Sequence, residues 1–172
     1  MPVYVNIADQ IVNPILYNSL LRPRMLLDTL RLLFARDLKR LRQEIELYQD
    51  EQKIWQVERG IANSAGNLCL HLLGNLNTYI GAILGGTGYV RNRELEFSRK
   101  HVPRPDLLAQ LDATLLVVDQ VLSRVPPETL AAEYPLLVLE TTTSTEYFLT
   151  HLATHLTYHL GQINYHRRLL DA

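Results

Sequence analysis

Residues 151–163 read HLATHLTYHLGQI. The run is apolar between its polar residues, contains no proline, and spaces His151, His155 and His159 four apart. Such spacing suits a helix, where residues i and i+4 share a face. A helical rise of about 1.5 Å per residue puts adjacent members of the stripe roughly 6 Å apart along the axis. His151 and His159 are then about 12 Å apart, too far to share one ion. Two pairs are open on this reading, His151 with His155 or His155 with His159. His166 falls on the same face but about 10 Å beyond His159. Four of the chain's six histidines therefore lie on one stripe.

Working outward, apolar residues recur at three- and four-residue spacing in three further stretches. The first runs from Arg24 to about Tyr48 through Leu26, Leu30, Leu33, Phe34, Leu38, Leu41 and Ile45. The second runs from an N-cap at Asn63 or Ser64 to about Leu84, with Gly66, Gly74 and Gly81 inside it. Those glycines weaken a helix unless something approaches its backbone closely. The third follows Pro103 and Pro105 and ends at Pro126 and Pro127. The last helix, with Thr143 and Glu146 as a capping box, carries the stripe to about Leu169.

Between these stretches, GGTG at 85–88 reads as a turn, and YVRNRELEFSRKH at 89–101 as a solvated loop. Thr129 to Ala132 reads as one helical turn, and YPLLVLETT at 134–142 as an extended segment. Residues 1–23, with Pro2, Pro14 and Pro23, read as an irregular lead-in. Four amphipathic helices with short connections predict an all-α fold, an antiparallel four-helix bundle, as a single domain over 1–172.

Composition narrows the function. The chain has 172 residues, 47% hydrophobic and 20% charged, with a formal net charge of -1. That balance offers no basic excess to neutralise phosphates and argues against nucleic acid as a partner. The single cysteine, Cys69, rules out an intramolecular disulfide and reads as a buried thiol. No leader and no membrane-length apolar run is evident, so a cytoplasmic location is expected, with no membrane partner.

A pair of histidines rarely closes a metal site, so a third ligand should come from another helix. His71, within LCLHLLGNL, is the candidate, because a buried imidazole needs a partner. Three imidazoles on one divalent ion leave a coordination position open and suit Zn, Ni or Fe. No Ser-His-Asp arrangement is apparent. Tyr158 and Tyr165, beside the stripe, read as packing residues.

His71 in LCLHLLGNL, followed late in the chain by HLTYHLGQI, resembles the DinB-like family of helical bundles. The stretch WQVERGIANSAGNLCLHLLGNL is similar to that family's connection into its second helix, and the resemblance covers the chain from about Arg24 onward. It implies a divalent metal held by His71, His155 and His159, with His151 surplus, and a homodimer. It assigns Gly161 to close approach of a neighbouring helix and Gln162 to a hydrogen bond across the helix pair. Relatives in the wider superfamily imply a metal-dependent thiol transferase or related enzyme. Arg91, Arg93, Arg167 and Arg168 are then candidates to bind the carboxylate of a small thiol or an acidic substrate. The alternative is a non-catalytic metal-binding or stress-associated protein.

Overall fold

The computed structural model describes residues 22–171 and is all-helical. The lead-in expected over 1–23 lies outside the described residues except for its end. There Pro23 lies at the start of the described helix Arg22–Glu46. The long helices are α1 (Arg22–Glu46), α2 (Ala65–Leu76), α4 (Arg104–Arg124) and α5 (Thr145–Leu170). A short helix, α3 (Arg93–Ser98), precedes α4. Single 3-10 turns fill Glu51–Trp55 and Pro127–Ala131. Past Leu76, α2 continues as a wider π-helical segment, Asn77–Leu84, and ends at the glycine turn.

Both α1 and α2 pack on α4 and α5. The core is aliphatic and aromatic. Leu27, Leu30, Phe34, Leu38, Leu41 and Ile45 of α1 meet Phe148, Leu149, Leu152, Leu156 and Ile163 of α5, with Leu72, Leu76 and Ile80 from the second helix. Polar ties fix the register of α1 on α5. The Thr157 hydroxyl donates to the buried carboxylate of Asp37 at 2.6 Å, and Arg167 pairs with Glu44 at 2.7 Å. The chain end is held the same way: Asp171 accepts from the backbone N–H groups of Gln49 and Asp50 and pairs with Lys53.

Several local expectations need correction. Residues 89–101 are not simply a solvated loop, since α3 forms inside them and buries Glu96. The segment 134–142 forms no strand. Only a bridge between Glu133 and Ser144 is present, with Tyr134 N–H donating to Thr143 O at 2.9 Å. The N-cap of α5 is Ser144, whose hydroxyl accepts from Tyr147 N–H at 3.2 Å. Thr143 lies one residue too early, and the residue three after Ser144 is a tyrosine, so no capping box closes. Ser64 does cap α2, accepting from Asn67 N–H. Gly66 admits the Trp55 ring, to which a Cβ would stand at 2.6 Å.

The relocated cap carries a prediction. Ser144→Ala should lower unfolding free energy by about 1 kcal/mol in urea denaturation. Thr143→Ala, in the same assay, should change it by less than about 0.5 kcal/mol.

Candidate metal centre

Two helices bring three imidazoles together. His71 comes from the middle of α2, where every residue from Ala65 to Leu76 is buried. His155 and His159 come from successive turns of α5. One nitrogen from each ring lies within 4.8 Å of the other two. His71 Nε2 and His155 Nε2 are 3.0 Å apart. His71 is 7% exposed, and the other two are half-buried, so the cluster meets solvent on the α5 side.

The tautomers follow from the partners. His71 Nδ1 is 3.0 Å from Glu96 Oε2. A carboxylate only accepts, so Nδ1 carries the proton and Nε2 turns a bare lone pair toward the cluster. Arg91 also approaches Nδ1, at 3.3 Å, but its guanidinium only donates. Its effective bonds are the two to Glu96, at 2.6 Å and 2.8 Å. On α5, His159 Nδ1–H donates to Gln162 Oε1 at 2.6 Å, which leaves its Nε2 lone pair free as well. Such acceptors on the outer nitrogen orient an imidazole and raise its basicity as a ligand.

Glu96 is the residue that the sequence reading missed. Burial alone would raise its pKa, but hydrogen bonds from Arg91 and His71, with the charge of Arg91, hold it below the usual glutamate value. Space for it comes from Gly74, one turn beyond His71. A Cβ there would fall inside the van der Waals envelope of the carboxylate. Asn67 secures the segment by donating to the carbonyls of Glu96 and Arg99, each at 2.9 Å. The Phe97 ring packs on His71 with centroids 5.1 Å apart.

Burial, with the neighbouring His159, His71, His151 and Arg91 charges, pushes His155 down to about 4. Burial likewise lowers His159, against the opposing bond from Gln162. Neutral imidazoles are the form that binds metal. Donors about 2.0–2.1 Å from a tetrahedral ion stand roughly 3.3 Å apart, so the observed spacing fits such an ion with small ring movements.

The other proposed residues are placed differently. His151 stacks between Phe148 and His155, with centroids 6.0 Å from each, and stays out of the ligand-atom cluster. His166 is buried, accepts from Tyr48 O–H at 2.6 Å and donates Nε2–H to Gln56 O at 2.9 Å. Cys69 is fully buried, and burial pushes its thiol up to about 12. Gln162 bonds along its own helix rather than across the pair. Nothing lies within 4 Å of a Cβ built on Gly161, so no helix approaches there. Tyr158 and Tyr165 are each 64% exposed and do not pack in the core. Arg91 is engaged by Glu96 and Arg167 by Glu44, while Arg93 and Arg168 are exposed.

Two expectations follow. Gly74→Ala should destabilise the protein by about 1–3 kcal/mol, because the notch for Glu96 closes. Gly161→Ala, also inside a helix but facing open space, should be neutral or stabilising by up to about 1 kcal/mol. Chemical denaturation of the two variants separates the cases. In metal-free protein, His155 binds its proton more weakly folded than at its unfolded value of 6.5. The unfolded state therefore takes up more protons as pH falls from about 6.5 toward 4, and stability should decline across that window. His155→Gln should flatten this part of the melting-temperature profile.

No helix among the described residues is long and apolar enough to cross a membrane. No curated protein and no solved structure matches the chain. A family model does: residues 24–172 match the family described as "Protein of unknown function (DUF1572)". The match runs from the first turn of α1 through α5 and includes all three clustered histidines, so the chain belongs to that family.

Proposed function

We propose that this chain is a DinB-like antiparallel four-helix bundle that binds one divalent metal ion through His71, His155 and His159. The observation that carries the reading is the convergence of three imidazole nitrogens within 4.8 Å, two of them with outer nitrogens held by Glu96 and Gln162. His71 and His159 each hold the proton on the outer nitrogen and so turn an Nε2 lone pair inward. Zn, Ni and Fe all suit this donor set.

The reaction class that fits is a metal-dependent thiol transfer or a related reaction. Bound to three imidazoles, the ion would keep a position open and lower the pKa of a thiol or water placed there. The chain's own residues supply the rest. Glu96 and Arg91 fix the ring plane of His71, Gln162 fixes His159, and burial holds His155 and His159 below the ordinary histidine value. Arg91 serves the site from behind, through Glu96, rather than as a substrate anchor. A homodimer completes the proposal, on the strength of the DinB resemblance.

The second reading, a non-catalytic metal protein, rests on Arg91 and Arg167 being taken up by Glu96 and Glu44, so that neither is free to anchor an acidic substrate.

Dialysed protein should hold close to one metal ion per chain by elemental analysis. His159→Ala should weaken binding at least about 10- to 100-fold, the loss typical even of outer partners. His151→Ala should leave the affinity nearly unchanged. Loss of metal in His151→Ala with retention in His159→Ala would place the ion one turn earlier. Chelator-sensitive turnover with a panel of thiols and electrophiles selects the enzyme, and tight binding without turnover selects the second reading.

A further inference from the structure

Beside the histidine cluster lies a cleft of about 540 Å3, within the size range of small-molecule sites. It adjoins the cluster on both helices. Its wall includes His159 itself, Leu68 three residues before His71, and Gln162 three residues after His159. The loop carrying Ile61 forms the opposite side, and Tyr158, Tyr165 and Leu169 of α5 form the rim.

The chemistry of the lining is specific. No Asp, Glu, Lys or Arg contributes to it. Two tyrosines and Leu169 at 61% exposure stand there with their apolar surface in water. His166 closes part of the wall, with both ring nitrogens already bonded to Tyr48 and Gln56. Gln162 spends its carbonyl on His159, and its NH2 makes no hydrogen bond among the described residues. A charged group on the body would lose water and meet no opposite charge among the lining side chains. A ring or short aliphatic body would gain apolar contact, with the Gln162 amide as a donor beside it.

We propose that this cleft binds the body of an uncharged, ring-bearing small molecule whose reacting group lies at the histidine cluster. The inference deepens the metal-site reading and rests on it for the placement of the reacting group. It replaces the acidic substrate expected from the arginines by a neutral, apolar one.

Hydroxamates test it, because they share one metal-binding head and differ in the body. The full chain loaded with Co2+ is titrated with acetohydroxamic, benzohydroxamic and 4-carboxybenzohydroxamic acids, read by the visible absorption of the ion. Benzohydroxamic acid should bind about tenfold tighter than acetohydroxamic acid, as ring contacts of this kind allow. The carboxylated compound should lose that gain. Tyr165→Ala should abolish the benzo preference while leaving affinity for Co2+ and acetohydroxamic acid within about twofold, and Tyr165→Phe should retain it. Equal affinities for the three compounds, or a preference untouched by Tyr165→Ala, would overturn the proposal. So would sedimentation showing that Tyr165→Ala converts a dimer to monomer with the ligand ranking unchanged, since the cleft would then be a subunit contact. A metal-independent arm separates the two readings. Benzyl alcohol added to metal-free protein should shift amide resonances at Ile61, Ala62 and 158–169. Those shifts in a protein that takes up no Co2+ would keep the cleft and reject the metal site, and their absence would reject the cleft whatever the metal does.

Discussion

A carboxylate buried against a helix needs compensation on every side, and Glu96 receives it. An unpaired buried charge costs several kcal/mol, so the residues around it are constrained together. Arg91 neutralises the carboxylate with two hydrogen bonds, and His71 supplies a third. Tyr79 lies under the Arg91 guanidinium, 5.7 Å from the ring centroid, and its carbonyl accepts from Tyr134 O–H. One acidic side chain thereby ties the segment that carries Arg91, α3, the second helix and the connection before α5 into the wall behind His71.

That wall depends on backbone detail in the second helix. Gly66 and Gly74 are two turns apart, and each yields its side-chain volume to a neighbour, the Trp55 ring and the Glu96 carboxylate respectively. An alanine helix would be more stable in isolation, by about 1 kcal/mol at each position. The folded protein accepts that loss because each notch admits a side chain that a Cβ would displace. Glu96, in the second notch, holds the ring of His71. Gly161 shows that the rule is not general, since it faces open space and fits no neighbour.

The four long helices were legible because their apolar spacing is strong, with glycine closing the second helix, prolines bracketing α4 and a Ser/Thr cap opening α5. The three clustered histidines were legible from i, i+4 geometry plus a lone histidine in an apolar helix, once the family pattern chose between the two possible pairs. Glu96 was not. It lies within RNRELEFSRK, where charge density suggests solvent on all sides, and its burial depends on partners distant in sequence. The available signal was Gly74 one turn after His71, which marks a close approach without naming what approaches. Tyr158 and Tyr165 misled for the opposite reason, because aromatic residues in an amphipathic helix ordinarily face the core. The α5 cap slipped by one residue because Thr143 and Ser144 are both competent caps, and only the bridge between Glu133 and Ser144 decides between them.

The histidine stripe of α5 finally sorts by what stands against each ring. His166 meets a hydroxyl donor on one nitrogen and a carbonyl acceptor on the other, so a neutral ring is fully satisfied and has nothing left for an ion. His151 meets aromatic faces, Phe148 on one side and His155 on the other, and is held as a flat packing surface. His159 meets one acceptor, Gln162, on its outer nitrogen and keeps the inner lone pair free. His155 reaches only the bare Nε2 of His71, which makes it the group most dependent on what sits between them. In the metal-free protein that nitrogen must carry the proton and donate to His71. To hold an ion through Nε2 the neutral ring would carry its one proton on Nδ1, where no acceptor stands among the described residues. His155 is thus the ring whose tautomer would have to change for an ion to be held, and its pKa of about 4 keeps a second proton off it at neutral pH.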